Sequence, residues 1–168
     1  MLSTPRSSVP PIDASAHPAT WKKPSPGAAL LGYSAFAERN QPRYDSYAQA
    51  RLVRKADVTA VVQATLSFAL KRWEWLLIQP RLAAVVWAEL RCQVSRQADE
   101  AEPQDVTGAA ALYSSLPVTS ADSALLCWRV GLTAGEAAEL MGLEQPAVEA
   151  ALRVARRIHP HLATRGAL

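Results

Sequence analysis

The last third of the chain carries the side chains best suited to binding nucleic acid. At about 100° per residue, Val148, Leu152 and Ala155 share one face of a predicted helix, and this face must pack on its neighbours. The other faces carry guanidinium and amide groups, which donate hydrogen bonds to phosphates and base edges. The candidate DNA-binding residues are Gln145, Arg153, Arg156 and Arg157. Because Glu149 would repel phosphate and Ala150 offers only a methyl group, we expect weak binding through phosphate contacts.

Two local signals predict a tight turn before this helix. Thr133 and Glu136 have the three-residue spacing of a capping box, in which each side chain satisfies the other residue's backbone N–H. Gly142 can adopt the positive φ that ends a helix, and Pro146 is tolerated in the first turn of the next one. The stretch from Leu116 to Arg157 is therefore predicted to form three short helices, the pattern of a helix-turn-helix.

A second helical unit is predicted over residues 44–97. Asp57 is placed as the N-cap of a helix in which apolar residues recur at helical spacing as far as Trp73. Another helix follows, in which Trp87 is a candidate stacking platform for single-stranded DNA. The alternative is that Trp73, Trp75 and Trp87 pack the helices together, and this is the interpretation we favour.

Two segments are predicted to lack regular structure. Residues 1–43 are rich in proline, serine and alanine without an apolar period, which predicts a disordered tail. Within it, only the apolar piece Ala28–Phe36 has the composition to form a turn of helix against the folded body. Residues 98–115 are acidic and then rich in alanine, which predicts a solvated linker to a C-terminal unit over residues 116–168.

The composition favours an all-α protein made of these two small helical units. Hydrophobic residues make up 49% of the 168 positions, with alanine and leucine prominent, and this is enough to bury helical cores. No apolar run reaches the roughly 18 residues that span a bilayer, and the N-terminus does not resemble a signal peptide. We therefore expect a cytoplasmic protein that does not contact membranes.

The sequence shows no pattern for catalysis, for a cofactor or for a metal. Cys92 and Cys127 are separate thiols, and His159 and His161 have no cysteine or acidic companion, so a metal site is not expected. Phosphate-binding glycine loops and nucleophile elbows are also missing. The expected protein is not an enzyme.

Charge is distributed unevenly along the chain. The net charge is +3, yet from residue 101 onward five arginines stand against seven acidic residues. A domain that binds DNA alone normally presents a positive face. We therefore expect the C-terminal unit to bind DNA weakly, or with the help of a partner.

The C-terminal unit resembles the promoter-binding region of extracytoplasmic-function sigma factors. The residues that carry the resemblance are Leu116-Pro117, Leu125, Leu126, Trp128, Gly131-Leu132-Thr133, Ala137, Glu139, Leu140, Gly142-Leu143, Val148, Leu152 and Ala155-Arg156-Arg157. By this resemblance, the unit would lie on the upstream promoter element.

The middle unit is similar to the region of the same family that binds core polymerase and melts the promoter. The matching residues are Tyr44, Asp45, Tyr47, Ala48, Asp57-Val58, Val61 to Leu66, Lys71-Arg72-Trp73 and Pro80-Arg81-Leu82. The resemblance implies that the residues that dock core RNA polymerase are Asp57, Gln63, Lys71, Arg72 and Trp73.

Two functions are open from the sequence. In the first, the chain is a diverged sigma-factor-like bacterial transcription regulator, which acts with core RNA polymerase and contacts promoter DNA weakly. The second starts from two departures from the family pattern. Where the family has acidic residues that dock the polymerase, this chain has Thr59, Ala60 and Ala64. Where the family has polar or basic residues on the last helix, this chain has Ala147, Ala150 and Ala151. In this alternative, a sigma-derived module binds another transcription regulator or itself through an apolar outer surface formed by these three alanines and by exposed tryptophans, and it no longer reads DNA.

Overall fold

Every regular element of the protein is helical in the ranges that the computed structural model describes, residues 24–100 and 109–163. The predicted all-α class is therefore confirmed. No helix in these ranges is both long and apolar enough to cross a bilayer. The elements are α1 (Pro26–Arg51), α2 (Lys55–Lys71), α3 (Trp73–Leu77), α4 (Leu82–Glu100), α5 (Ala109–Ser115), α6 (Val118–Ala124), a π-helical turn (Leu125–Val130), α7 (Ala134–Met141), α8 (Gln145–Ile158) and α9 (Pro160–Ala163).

Helix α1 starts at Pro26, so the prediction of a disordered tail through residue 43 is wrong. Ser25 caps the helix, because its hydroxyl accepts a hydrogen bond from the Ala28 amide at 3.3 Å. Pro26 suits the first turn, and Pro42 lacks one N–H donor in the interior without ending the helix. Residues 1–23 of the predicted tail lie outside the described residues.

Aromatic contacts hold the first half of α1 against the rest of the protein. The Trp73 ring lies 5.6 Å from the Tyr33 ring in an edge-to-face arrangement and 5.3 Å from the Phe36 ring, measured between centroids. The Tyr33 hydroxyl donates to the Leu66 carbonyl at 3.1 Å. Tertiary packing of this kind stabilises a helix whose composition alone does not favour it.

Helix α2 begins at Lys55, so the prediction that Asp57 is its N-cap is wrong. Arg54 occupies the cap position, and the Asp57 carboxylate accepts two hydrogen bonds from the Arg54 guanidinium at 2.7 and 2.8 Å. Asp57 instead lies in the first turn, where the positive end of the helix dipole favours an acidic residue.

Both ends of the predicted linker are helical. Helix α4 continues to Glu100, and α5 covers Ala109–Ser115 with Ala109 and Leu112 buried. The predicted linker boundaries at residues 98 and 115 are therefore wrong. Apolar residues of α5 are buried against other helices, and the local composition does not indicate this packing. Residues 101–108 lie outside the described part of the chain.

The two predicted units pack against each other around one core. Helix α1 contacts α2, α4 and the π-helical turn, and α4 contacts both α2 and α7. Tyr47 and Leu90 from the first unit are fully buried in the same cluster as Leu125, Leu126 and Leu140 from the second. This shared core sets the position of α7 and α8 relative to α1.

The turn between α7 and α8 approaches α4 closely. Gly142 has a φ of 64°, and a Cβ at this position would lie 2.3 Å from the backbone nitrogen of Ala84. Only a glycine meets both requirements without moving a backbone.

Candidate functional site

The turn that positions α8 is built as the sequence predicts. The Thr133 hydroxyl accepts from the Glu136 amide at 3.2 Å and the Glu136 carboxylate accepts from the Thr133 amide at 2.9 Å, so the capping box is confirmed. Donation from the Thr133 amide, and from the Thr133 hydroxyl at 2.9 Å, lowers the pKa of the Glu136 carboxyl. Gly142 ends α7 in the left-handed conformation, and Pro146 lies in the first turn of α8.

Helix α8 buries one face and exposes the candidate DNA-binding residues. Val148, Leu152 and Ala155 are buried, as predicted. Ala151 is also buried, so its predicted place on an apolar outer surface is wrong; it lies one turn from both Val148 and Ala155 on the packed face. The candidates that are exposed together on α8 are Gln145, Arg153, Arg156 and Arg157.

The positive charge of α8 is available to a ligand. Arg153, Arg156 and Arg157 form no ion pair with any residue that the structure describes. The Gln145 amide donates to the Glu149 carboxylate at 2.9 Å, so part of its hydrogen-bonding capacity is already used. This surface can bind phosphate oxygens, with at most three cations.

The five candidate polymerase-docking residues are not gathered in one place. Asp57 and Lys71 lie at opposite ends of α2, about 21 Å apart along its axis. The Arg54 guanidinium is hydrogen-bonded to Asp57 and lowers the pKa of its carboxyl. Gln63, Lys71 and Arg72 are exposed, and the last two adjoin each other at the C-terminal end of α2.

Trp73 packs in the interior, so its predicted place on a docking surface is wrong. It is 7% exposed, whereas Trp75 on the same short helix is 45% exposed. Trp87 is also buried, with its ring 4.6 Å from the Tyr47 ring between centroids. Trp87 therefore cannot serve as a stacking platform for single-stranded DNA in this conformation, and the packing interpretation holds for both buried tryptophans.

An open groove lies between the start of α1 and the end of α2. Its volume is about 520 Å³. Lys71, Arg72 and Trp73 on one wall were predicted from the sequence as docking residues, but the groove itself was missed, because the α1 side belongs to the predicted tail. The lining residues are Ala29, Leu30, Tyr33, Leu70, Lys71, Arg72, Trp73, Glu74 and Trp75.

A buried carboxylate joins helices from both predicted units. Asp122 on α6 is fully buried, and its Oδ1 accepts from the Tyr47 hydroxyl of α1 at 3.0 Å and from the Tyr113 hydroxyl of α5. Its Oδ2 accepts from the Arg91 guanidinium of α4 at 3.3 Å. The Arg51 guanidinium lies 3.7 Å from the Tyr113 ring centroid. No clear signal in the sequence indicates this burial, because Asp122 stands among serine, threonine and alanine residues.

We expect the protein to lose stability steeply above pH 10. Burial raises the pKa of Tyr44 and Tyr47 well above the ordinary value of 10.0, and the Asp122 charge raises that of Tyr47 further. Above pH 10 the unfolded chain releases the phenolic protons of both residues, whereas the folded protein keeps them. The free energy of unfolding should fall by about 2.7 kcal/mol per pH unit from these two groups. Denaturant unfolding between about pH 9 and 11 checks this; tyrosinate absorbance from all four tyrosines before unfolding would contradict it.

Comparison with known proteins identifies the fold. No model of a known protein family matches the chain, and no curated protein does. The chain is similar to the structure of CnrH in complex with the cytosolic domain of CnrY, with a TM-score of 0.53 and 20% sequence identity over 80% of this chain and 89% of that chain. CnrH is an extracytoplasmic-function sigma factor. The fold is sigma-like. At this identity the similarity concerns architecture and does not extend to function.

Proposed function

We propose that the protein is a sigma-like transcription regulator that acts with core RNA polymerase at promoters. Helices α7 and α8 serve as a helix-turn-helix in which α8 lies against DNA, and the exposed end of α2 contributes to polymerase docking. The contacts of α8 are mainly with phosphates, because its polar residues are arginines beside an acidic Glu149.

The observation that carries this proposal is the exposed α8 surface on a sigma-like fold. Arg153 and Arg157 lie one helical turn apart, outside the packed face and free of ion pairs with described residues. Two solvent-facing guanidinium groups at this spacing match the role of phosphate contacts. The number of cations is small, which is consistent with binding that needs the polymerase.

The double variant Arg153→Ala/Arg157→Ala is expected to lower promoter occupancy in a gel shift with core polymerase present. Each lost phosphate contact should reduce the slope of log affinity against log salt by about 1. The matched control is Arg153→Lys/Arg157→Lys, which keeps the charge and should retain most of the occupancy. Equal occupancy for the alanine variant and the unsubstituted protein would count against DNA contact by α8.

Polymerase binding is tested separately. The purified protein should co-elute with core RNA polymerase in gel filtration, and Lys71→Glu/Arg72→Glu should weaken this if the end of α2 is the docking surface. Both residues are exposed, so the reversed charges should leave the thermal midpoint nearly unchanged. Absence of co-elution for the unsubstituted protein would remove the proposed function.

A second candidate function is a protein-interaction module that binds another transcription regulator and does not read DNA. It is favoured by the exposed apolar side chains around the groove, where Leu30 is 58%, Leu70 47% and Trp75 45% exposed. The outer alanine surface, by contrast, is reduced to Ala147 and Ala150. A pull-down that recovers no partner, together with normal promoter occupancy, would exclude this candidate.

A further inference from the structure

The sign of the charge around α8 cannot be read from the C-terminal half alone. Residues 109–163 contain five acidic residues and four arginines. An excess of acids beside a DNA-contacting helix would repel phosphates. The structure changes this balance, because arginines from the N-terminal helices reach three of those five acids.

Two of the acids lie on α7, and α1 supplies their partners. The Arg43 guanidinium lies 3.6 Å from the Glu136 carboxylate and 3.5 Å from that of Glu139. Arg39 also forms an ion pair with Glu139. The third acid is Asp122, which is paired with Arg91. All three arginines precede residue 101 in the chain, and all three acids follow residue 108.

The part of α7 that carries the paired acids Glu136 and Glu139 adjoins α8. The Gln145 side chain reaches the first turn of α7, where a Cβ added to Gly135 would lie 3.3 Å from its amide oxygen. Helices α7 and α8 are also in direct contact with each other. Without Arg43, the charge of Glu136 would stand close to the cations of α8 and would oppose them.

We infer that α1 is an electrostatic part of the DNA-binding surface: Arg39 and Arg43 neutralise Glu136 and Glu139, so that the α7–α8 pair presents net positive charge to duplex DNA. This inference relies on the proposed contact between α8 and DNA. It adds a role for the ion pairs that join α1 to α7, which give the C-terminal half a charge that its own residues lack.

The exposure of these pairs indicates that their purpose is not stability. The side chains of Arg39, Glu136 and Glu139 are 62%, 43% and 48% exposed, and that of Arg43 is 22% exposed. Ion pairs whose carboxylates are nearly half exposed contribute little to folding, so they can be altered without unfolding the protein. Their charges still act on phosphates nearby, most strongly at low salt, where screening is weak.

The test uses the full chain and a mixed-sequence DNA duplex at low salt, with affinity read by fluorescence anisotropy. Arg39→Gln/Arg43→Gln should weaken binding about fourfold, the Coulomb effect of two unit charges about 10 Å from a phosphate in water. Adding Glu136→Gln/Glu139→Gln to that variant should restore the affinity. The slope of log affinity against log salt for this combined variant should equal that of the unsubstituted protein. Glutamine at position 136 can still complete the capping box.

The control removes the same charge elsewhere. Arg54 and Lys55 lie at the start of α2, which packs on α1, α3 and α4. The variant Arg54→Gln/Lys55→Gln should therefore leave the DNA affinity unchanged. The inference is overturned if Arg39→Gln/Arg43→Gln binds as tightly as the unsubstituted protein, if the unsubstituted protein has no affinity for DNA at low salt, or if the control weakens binding equally. It is also overturned if the variant that carries all four glutamine substitutions still binds DNA weakly and its slope of log affinity against log salt is reduced by about 2. The arginines would then contact phosphates directly.

These results are distinguishable from a failure of the proposed function. The assay contains no polymerase, so a protein that never co-elutes with core polymerase can still show the expected affinity pattern. Conversely, promoter occupancy could be normal while Arg39→Gln/Arg43→Gln binds DNA as tightly as the unsubstituted protein. That result would retain the proposed function and remove the role of α1.

Discussion

Gly142→Ala is expected to lower the free energy of unfolding by about 3 kcal/mol or more. Gly142 has a φ of 64°, where any other L-residue costs roughly 1–2 kcal/mol. The new Cβ would also lie 2.3 Å from the nitrogen and 2.7 Å from the Cα of Ala84. Because these are backbone atoms of the α4 segment, no side-chain rotation relieves the contact. Helices α4 and α7 would have to move apart.

Gly131→Ala is the matched control for this substitution. Gly131 also has a positive φ, of 85°, but a Cβ there would meet no atom within 4 Å. It should therefore cost only the left-handed backbone term, about 1–2 kcal/mol. Urea unfolding of both variants measures the difference, which reports the close approach of α7 to α4. Equal destabilisation by the two substitutions would show that this approach does not exist in solution.

The α7–α8 turn was predictable because its determinants are local. The Thr133–Glu136 capping box and the glycine at position 142 each act on backbone groups within a few residues, so their types and spacing specify the conformation. Helical phase likewise predicted which residues of α8 are buried, apart from Ala151. A small alanine fits on either a packed or an open face, and the phase alone did not decide its place.

The extent of α1 was not predictable from composition, although the apolar piece Ala28–Phe36 was expected to form a turn of helix against the folded body and does so. Its proline-containing sequence indicated a tail, but Pro26 stands in the first turn, where a proline N–H is not needed. The helix is stabilised by the contacts of Tyr33 and Phe36 with Trp73, some forty residues away in sequence. Nothing local in residues 24–43 specifies that contact. The docking role of Trp73 was implied by the family resemblance, whereas the packing interpretation of the tryptophans already favoured its burial.

The electrostatic part of the candidate site was hidden for a related reason. The exposed arginines of α8 follow from local spacing, whereas the contact between Arg43 and Glu139 joins residues 96 positions apart. Counting charges along the sequence made the C-terminal half acidic. The fold brings Arg39 and Arg43 of α1 to the acids of α7, and a count of residue types contains no information about this proximity.

Trp87→Ala is expected to destabilise the protein by about 3–5 kcal/mol. Trp87 is 4% exposed on α4, and its ring packs on that of Tyr47 in α1, so truncation leaves a large cavity where the two predicted units share a core. Its indole N–H has no hydrogen-bond partner among the described residues. Trp87→Phe therefore loses packing area without breaking a hydrogen bond, and should cost much less than the alanine variant.

Trp75→Ala is the control that separates packing from ligand contact. Trp75 is 45% exposed, and its loss should change the free energy of unfolding by about 1 kcal/mol or less. Denaturant unfolding followed by far-ultraviolet circular dichroism measures all three variants. If Trp87→Ala left stability intact and instead reduced binding to single-stranded DNA, Trp87 would be a stacking platform after all. That result would require α1 and α4 to separate, because the packed conformation leaves no face of the Trp87 ring open to a base.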